Sequence, residues 1–384
     1  MNHPRVLAML AAVVLAAGCG SSAGSAPHRA PAATVASSPL DTSLSTSGGT
    51  WATVVMGGSA AQYNNFWQLF TRPAGSSQWK LATPPGTADN GGLVLAAGSR
   101  SAMVTGFRPS QLLTFTPLSQ TSDGGRAWSA ISPLDAALAS TPAAIALQPG
   151  GDRLIALTAS GRVEEVTAGS GFWQTLTTAS ALAATAAGRR CGLRALTGTA
   201  WTHSGVPLLA GNCSRPGVAG IFALDSGTWR AAGPALPASL GSQAVTVLRI
   251  VDIGSQTAAV LSVGEGPSAS LVAAWTDDAG ARWTVSPGLG LAAAPPASAS
   301  FGPGGQIAVI SAAGRAATIA IGQSWRTLPA LPARTATLAF VRAGHVDALS
   351  VRAATLTVWQ LGPSGTTWTK TQVISVPIQY DSSS

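Results

Sequence analysis

A tryptophan recurs along the chain at a nearly constant interval, and this feature most limits the folds that are possible. Seven of the 12 tryptophans begin a short segment that usually runs into a proline turn. They are Trp79, Trp128, Trp173, Trp229, Trp283, Trp325 and Trp368. Successive members lie 42 to 56 residues apart. A repeat of this length indicates stacked units, none of which buries a core alone.

The segments between these tryptophans have the pattern of short antiparallel strands. Aliphatic runs alternate with Gly, Pro, Asp and Ser, as in half-buried strands. Four strands are predicted in the third unit, over residues 143–148, 154–159, 162–168 and 172–177, and four in the sixth, over 297–301, 306–311, 315–321 and 324–328. No helix is predicted beyond the first 18 residues. The sequence therefore predicts an all-β fold over residues 50–380, a seven-bladed β-propeller of four-stranded antiparallel blades.

The two ends of the chain are predicted to meet in one blade. The first repeat offers only three strands, over residues 51–56, 66–71 and 78–83, while an additional apolar strand at 373–379 follows the last repeat. We expect this C-terminal strand to complete the first blade from the inside, so that the ring is closed by a clasp.

The N-terminus has the pattern of a secretory signal. Arg5 precedes an apolar run over residues 6–17, which is too short to span a bilayer, and small residues then lead to Cys19. This resembles the bacterial lipobox, which implies a lipid on Cys19 and cleavage before it. Residues 1–18 would be the signal peptide and 19–49, rich in Ser, Ala, Pro, Thr and Gly, a flexible tether. The alternative is an ordinary signal peptide with a cysteine there by chance.

Two further cysteines, Cys191 and Cys213, would lie in an oxidising compartment and predict a disulfide, which stabilises by about 3 kcal/mol for a loop of this size. Cys191 is expected to begin the first strand of its blade. The three histidines of the mature chain, His28, His203 and His345, are far apart in sequence. No metal site and no cofactor are therefore predicted.

Two repeats carry the pattern Ser/Thr-x-Asp-x-Gly-x-x-Trp, once at Thr121, Asp123, Gly125 and Trp128 and once at Thr276, Asp278, Gly280 and Trp283. The pattern resembles the Asp-box (BNR) repeat of sialidases and of many non-enzymatic propellers. Its chemistry suits a hairpin turn, because Asp accepts turn N–H groups, Gly adopts positive φ and Trp packs between blades. The resemblance implies structural roles for both boxes.

The resemblance also implies what an enzyme of the family would need: an arginine triad, a Tyr/Glu nucleophile pair and an acidic residue. The chain has two tyrosines, Tyr63 and Tyr380, and three glutamates, Glu164, Glu165 and Glu265. Sialidase propellers have six blades, whereas seven are predicted here. No catalytic residue is therefore predicted, and a sialidase-like glycoside hydrolase remains the alternative function.

The formal charge is +8, with 22 basic and 14 acidic residues. Sorting the predicted loops by face places seven arginines against three acids on one face and six arginines against six acids on the other. The first face carries Arg108, Arg189, Arg190, Arg215, Arg315, Arg334 and Arg352. Guanidinium groups bind carboxylates and phosphates through paired hydrogen bonds, which predicts an anion-binding face. The competing interpretation is that these loops are simply solvated.

The sequence thus predicts a lipid-anchored, monomeric propeller on the extracytoplasmic side of the cell membrane. Its function would be that of a non-catalytic binding or assembly module for an anionic cell-envelope ligand or a protein partner. No nucleic-acid partner is expected, because the chain lacks a basic motif interleaved with aromatic residues.

Overall fold

The fold is described by a computed structural model over residues 34–35, 42–58, 65–84, 89–98, 103–109, 118–130, 142–290, 296–342 and 345–377. The described chain is nearly all β-structure, as predicted. It contains seven runs of four consecutive antiparallel strands, which we call units 1 to 7. A two-residue strand, β1 (Thr34–Val35), precedes them.

The first three units include the segments with the most residues outside the description. Unit 1 comprises β2 (Thr42–Thr46), β3 (Gly49–Gly57), β4 (Asn65–Pro73) and β5 (Lys80–Leu81). Unit 2 comprises β6 (Asp89–Ala97), β7 (Met103–Pro109), β8 (Leu118–Thr121) and β9 (Ser129–Ala130). Unit 3 comprises β10 (Ala144–Leu147), β11 (Arg153–Leu157), β12 (Arg162–Thr167) and β13 (Gln174–Thr178).

The remaining units follow the same order. Unit 4 comprises β14 (Leu193–Trp201), β15 (Pro207–Cys213), β16 (Gly220–Asp225) and β17 (Thr228–Ala231). Unit 5 comprises β18 (Val245–Asp252), β19 (Thr257–Val263), β20 (Ser270–Thr276) and β21 (Thr284–Val285). Unit 6 comprises β22 (Pro296–Gly302), β23 (Gln306–Ser311), β24 (Ala316–Ile319) and β25 (Arg326–Thr327). Unit 7 comprises β26 (Thr335–Arg342), β27 (His345–Arg352), β28 (Thr355–Leu361) and β29 (Trp368–Ser375).

Each recurring tryptophan lies at the start of the fourth strand of its unit. Trp79, for example, directly precedes β5, and Trp368 is the first residue of β29. The hydrophobic cores lie mainly between the sheets of different units. Phe70 and Val54 of unit 1 pack with Leu349 of unit 7, and other clusters join units 3 and 4, 4 and 5, and 6 and 7. Because the units bury the faces of their sheets against one another, few positions are left for charged side chains.

Two short helices between β13 and β14 correct the expectation that no helix would occur. They are α1 (Ala179–Ala184) and α2 (Ala186–Cys191). The hydroxyls of Thr178 and Thr185 accept the N–H groups of Ala181 and Gly188, so a threonine caps each helix. Cys191 therefore ends α2. The expectation that it begins a strand is wrong. The alanine-rich segment lacks the alternation of a strand, which is the signal that sequence reasoning passed over.

The predicted tether is too long at its C-terminal end, because β1 and β2 lie within residues 19–49. Strand β2 pairs with β3 in antiparallel and with β22 in parallel orientation. Its polar residues are buried, because the hydroxyl of Ser43 donates to the carbonyl of Leu338 at 2.7 Å and that of Thr42 to the carbonyl of Ala299 at 2.8 Å. A segment with the composition of a linker can thus be buried in the core when its hydroxyl groups donate to backbone carbonyls.

The predicted C-terminal clasp is wrong. Among the described strands, β29 pairs only with β28 and forms the fourth strand of unit 7, while the first strand of unit 1 is β2. The two ends still meet, side to side. Trp79 N–H donates to Gln372 Oε1 at 2.8 Å, and Gln372 Nε2 donates to the carbonyl of Trp79 at 2.9 Å.

The contact between units 1 and 7 also contains a buried carboxylate. Asp347 Oδ2 accepts Arg72 Nη1 at 2.6 Å and Trp79 Nε1 at 2.9 Å. Its side chain is 1% exposed, and burial raises the pKa of Asp347 while these two partners oppose the increase. Removal of either partner would leave this desolvated acid with one described partner in place of two.

Candidate functional site

Two adjoining cavities lie along the first strands of five units. The upper cavity encloses about 550 Å³ of space, part of it open to solvent, and touches Thr42 of β2 and residues 94–95, 143–145, 197–199 and 248–251. The lower cavity touches Leu44 and residues 95–97, 145–147, 199–201 and 250–252. On every strand the second set lies about two residues further along, or roughly 7 Å. These strands therefore run in one direction around a common channel.

The upper cavity contains an arginine that sequence reasoning did not single out. Arg249 lies in the mainly aliphatic strand β18, and its guanidinium carbon is 5.6 Å from the centre of the Phe301 ring. Arg249 Nε is buried and has no hydrogen-bond partner among the described residues. Burial lowers the pKa of Arg249 to about 10. A charged residue in an inner apolar strand was the signal that could have identified it.

Two threonines line the same cavity. The hydroxyls of Thr197 and Thr199 are buried and lack hydrogen-bond partners within the described segments. A buried polar group normally has a partner, so three such groups around one cavity are an unusual concentration. Thr42 also touches the cavity, and the remaining side chains of its wall, such as Leu95 and Ile145, are aliphatic.

The lower cavity has the opposite electrostatic character. Asp252 lies at the end of β18, and its Oδ1 is buried without a described partner. Burial raises the pKa of Asp252 to about 7. No other titratable residue lines this cavity in the described part of the chain. The channel thus has a cation toward the starts of its strands and a carboxyl toward their ends.

The predicted anion-binding residues lie where first and third strands begin and where second and fourth strands end, which we call the arginine face. Arg189 and Arg190 are in α2 before β14, Arg215 follows β15, Arg315 precedes β24, Arg334 precedes β26 and Arg352 ends β27; all six are exposed. None of these six forms an ion pair with a described residue. Arg108 lies near the end of β7, and its side chain is outside the description.

A disulfide holds three of these arginines in one unit. Cys191 and Cys213 are bonded, with 5.1 Å between their Cα atoms, and join the end of α2 to the end of β15. The N–H of Arg215 also donates to the carbonyl of Cys191 at 3.2 Å. The disulfide thereby holds the end of α2, which carries Arg189 and Arg190, beside the chain that carries Arg215.

The two Asp-box segments form closed turns at the opposite ends of their strands. Thr121 Oγ1 donates to Asp123 Oδ1 at 2.8 Å. Asp123 Oδ1 also accepts the N–H groups of Arg126 and Ala127. These bonds, led by that from Ala127, lower the pKa of Asp123. Gly125 has φ +84°, and an added Cβ would approach the Trp51 ring to 3.1 Å.

The second turn repeats this arrangement. Asp278 Oδ1 accepts Thr276 Oγ1 at 2.9 Å and the N–H of Arg282 at 2.8 Å, and Gly280 has φ +81°. The hydrogen bond from the Arg282 side chain, together with the backbone bond, lowers the pKa of Asp278. Trp283 then donates to the carbonyl of Ala232 in unit 4 at 2.7 Å. Both aspartates are engaged in their own turns.

The Trp of the first turn also reaches another unit. Trp128 meets the Trp51 ring of unit 1 edge to face, with 6.2 Å between ring centres. The two tryptophans therefore link adjacent sheets.

The glutamates available for acid–base chemistry are mostly occupied. Glu164 pairs with Arg162 and Glu165 with Arg153, and both carboxylates are buried. Glu265 is exposed between β19 and β20. Tyr63, Tyr380 and Cys19, which the sequence-based hypotheses use, lie outside the described residues, as do Asp135 and His28.

The His, Cys, Asp and Glu side chains that the structure describes form no group of three suited to a metal ion. Among the helices within the described ranges, none has the length and apolar character required to cross a membrane.

Comparison with known proteins places the fold. No family model and no curated protein sequence matches the chain. A protein from Lactobacillus plantarum superposes with a TM-score of 0.51 at 11% identity, over 86% of this chain and 97% of that one. The GH74 xyloglucanase from Xanthomonas campestris gives 0.51 at 13% identity, over 85% and 53%. YCF48 from Cyanidioschyzon merolae gives 0.45 at 15% identity, over 83% and 93%.

The two structures with the higher TM-scores support a propeller-like architecture for this chain. At 11% and 13% identity they establish the fold alone. The function must therefore be inferred from the chain's own residues.

Proposed function

We propose that this chain is a lipid-anchored, extracytoplasmic β-propeller whose seven units are the blades of one ring, and that it is a non-catalytic module binding an anionic ligand or an acidic protein partner. The observation that carries this proposal is the arginine face. Six exposed arginines lie at one set of strand ends without acidic partners among the described residues.

The charge distribution supports a binding surface. Several acids at the other strand ends are neutralised locally, since Asp278 pairs with Arg282 and Asp225 with Arg230. Unpaired guanidinium groups on a rigid scaffold attract anions and offer a planar fork to carboxylates and phosphates. The disulfide holds the chain at Arg189 and Arg190 beside the chain at Arg215, which reduces the ordering cost of binding.

Retention on immobilised polyglutamate would test the arginine face. Replacing Arg189 and Arg190 with Glu should lower the salt concentration at which the chain elutes. The matched control replaces Lys80 and Arg326 with Glu, which changes the net charge equally but at exposed positions that begin fourth strands. Equal loss of retention in both variants would show that net charge alone governs binding and would refute an arginine face.

The anchor has its own test. Mass spectrometry of the membrane fraction should find a lipidated peptide beginning at Cys19, because the lipobox-like sequence directs modification there. A soluble product cleaved elsewhere would refute it. Sedimentation of the delipidated chain should give a monomer.

The alternative glycoside hydrolase is tested by turnover of fluorogenic glycosides. Catalysis by a Tyr nucleophile would be abolished by Tyr63→Phe. Turnover that depends on Tyr63 would refute the non-catalytic proposal.

A further inference from the structure

We infer that the upper cavity is a binding site for a carboxylate that carries an apolar body, with Arg249 as its counter-ion. This inference goes beyond the proposed function, because it names a ligand class for a site separate from the surface arginines.

The charge of Arg249 is the first argument. Its Nε is shielded from water and has no described hydrogen-bond partner, and its only described electrostatic neighbour is the face of Phe301. Removing a guanidinium from water is costly unless an anion or acceptors replace the lost hydration. No acid lines the cavity among the described residues, so an anionic guest would supply what the site lacks.

The two threonine hydroxyls provide the second argument. Thr197 and Thr199 of β14 both line the cavity, and both hydroxyls are buried without described acceptors. A carboxylate has two oxygens with about four acceptor positions, so it accepts a guanidinium and two hydroxyls together. A cation, which needs acceptors and negative charge, would not be matched by Arg249.

The walls select the rest of the ligand. Leu95, Ile145 and Val251 surround the polar groups with aliphatic surface. One cation balances one negative charge, which favours a carboxylate over a phosphate dianion. An aliphatic body would also displace water from these walls, at about 25 cal/mol per Å² buried. The ligand class is therefore an aliphatic monocarboxylate, either a free acid or the C-terminus of an apolar peptide.

The experiment uses titration calorimetry of the purified full chain with hexanoate, at fixed ionic strength, and with hexanamide as the neutral isostere. We expect saturable binding of hexanoate and at least tenfold weaker binding of hexanamide. Arg249→Met should weaken hexanoate at least tenfold, and Thr199→Val several-fold. An unchanged affinity in Arg249→Met, or equal affinity for acid and amide, would overturn the inference.

Thermal unfolding distinguishes a ligand site from an internal ion pair. If Arg249 has no internal partner, Arg249→Met should leave the unfolding midpoint unchanged or raise it. Asp41 precedes Thr42 in the sequence and lies outside the description. A large fall in the midpoint for both Arg249→Met and Asp41→Asn, without hexanoate binding, would assign Arg249 to an internal pair and refute the site. Arg249→Lys, which keeps the charge, guards against misfolding as the explanation.

Two further comparisons separate the ligand sources and the two proposals. An apolar pentapeptide that binds only with a free C-terminus, and more tightly than hexanoate, would identify a peptide end; hexanoate without peptide binding would identify a free acid. The Arg189→Glu, Arg190→Glu variant should retain hexanoate binding, while Arg249→Met should retain its polyglutamate elution. The channel site and the arginine face can therefore fail independently.

Discussion

Asp252 should make the stability of this protein depend on pH in a direction opposite to that of most carboxylates. Its ordinary value is 3.8, and burial raises the pKa of Asp252 to about 7 in the folded chain. Between these values the folded state binds a proton that the unfolded state has released. The free energy of unfolding therefore falls as pH rises from about 4 to 7.

The magnitude follows from this shift. One pKa unit corresponds to 1.36 kcal/mol, so the full shift would lower the free energy of unfolding by about 4 kcal/mol once the carboxyl is ionised. Because Asp252 is partly exposed and solvent screens its charge, we expect about 2–4 kcal/mol. Asp252→Asn keeps the shape and removes the titration, so it should match the wild type near pH 4 and exceed it by this amount near pH 8.

Urea denaturation of both proteins at a series of pH values gives the required difference. Other titrating groups cancel in that difference, since they are present in both chains. Asp225→Asn is the matched control, because the side chain of Asp225 is 65% exposed. A difference between wild type and Asp252→Asn that stays constant within about 0.5 kcal/mol from pH 4 to 8 would refute the desolvation argument.

Three further perturbations test how the units are held together. Arg72→Met should cost about 3–5 kcal/mol in a denaturation experiment, because it leaves the Asp347 carboxylate buried with only Trp79 as a described partner; a cost below 1 kcal/mol would contradict this role. Reduction of the disulfide between Cys191 and Cys213 should lower the free energy of unfolding by about 3 kcal/mol, and with it the unfolding midpoint. Free thiols in non-reducing peptide mapping would show that the bond is absent. Gly125→Ala should destabilise by more than about 1 kcal/mol, since the φ of +84° strains alanine, and an unchanged midpoint would count against the turn geometry.

The periodic tryptophans predicted the succession of four-stranded antiparallel units, because a large residue that is easily seen in the sequence lies at the start of each fourth strand. Strand bounds in the sixth repeat agree within one or two residues for the first two strands, β22 and β23. Local pattern failed where tertiary partners decide. Thr42 and Ser43 have the composition of a linker. They are core residues because their hydroxyls donate to carbonyls that lie 257 and 295 residues away in sequence.

The candidate site was predictable only in part. Charges in loops can be assigned to a face from strand order alone, which located the surface arginines. The channel depends on how five strands from distant parts of the chain are placed side by side. Arg249 and Asp252 could be noticed as charges in a mainly aliphatic strand, but their lack of described partners is a property of the assembled cavity.

Strand β2 has a mechanical consequence. It is the first strand of unit 1, and its hydroxyls donate to carbonyls of both β22 and β26. Tension applied to the chain just before residue 42 would therefore load these three strands at once, and would reach units 6 and 7 before it could peel any outer strand. A protein held at a surface through its N-terminal segment would then bear pulling forces at its interior, where rupture requires several hydrogen bonds to break together.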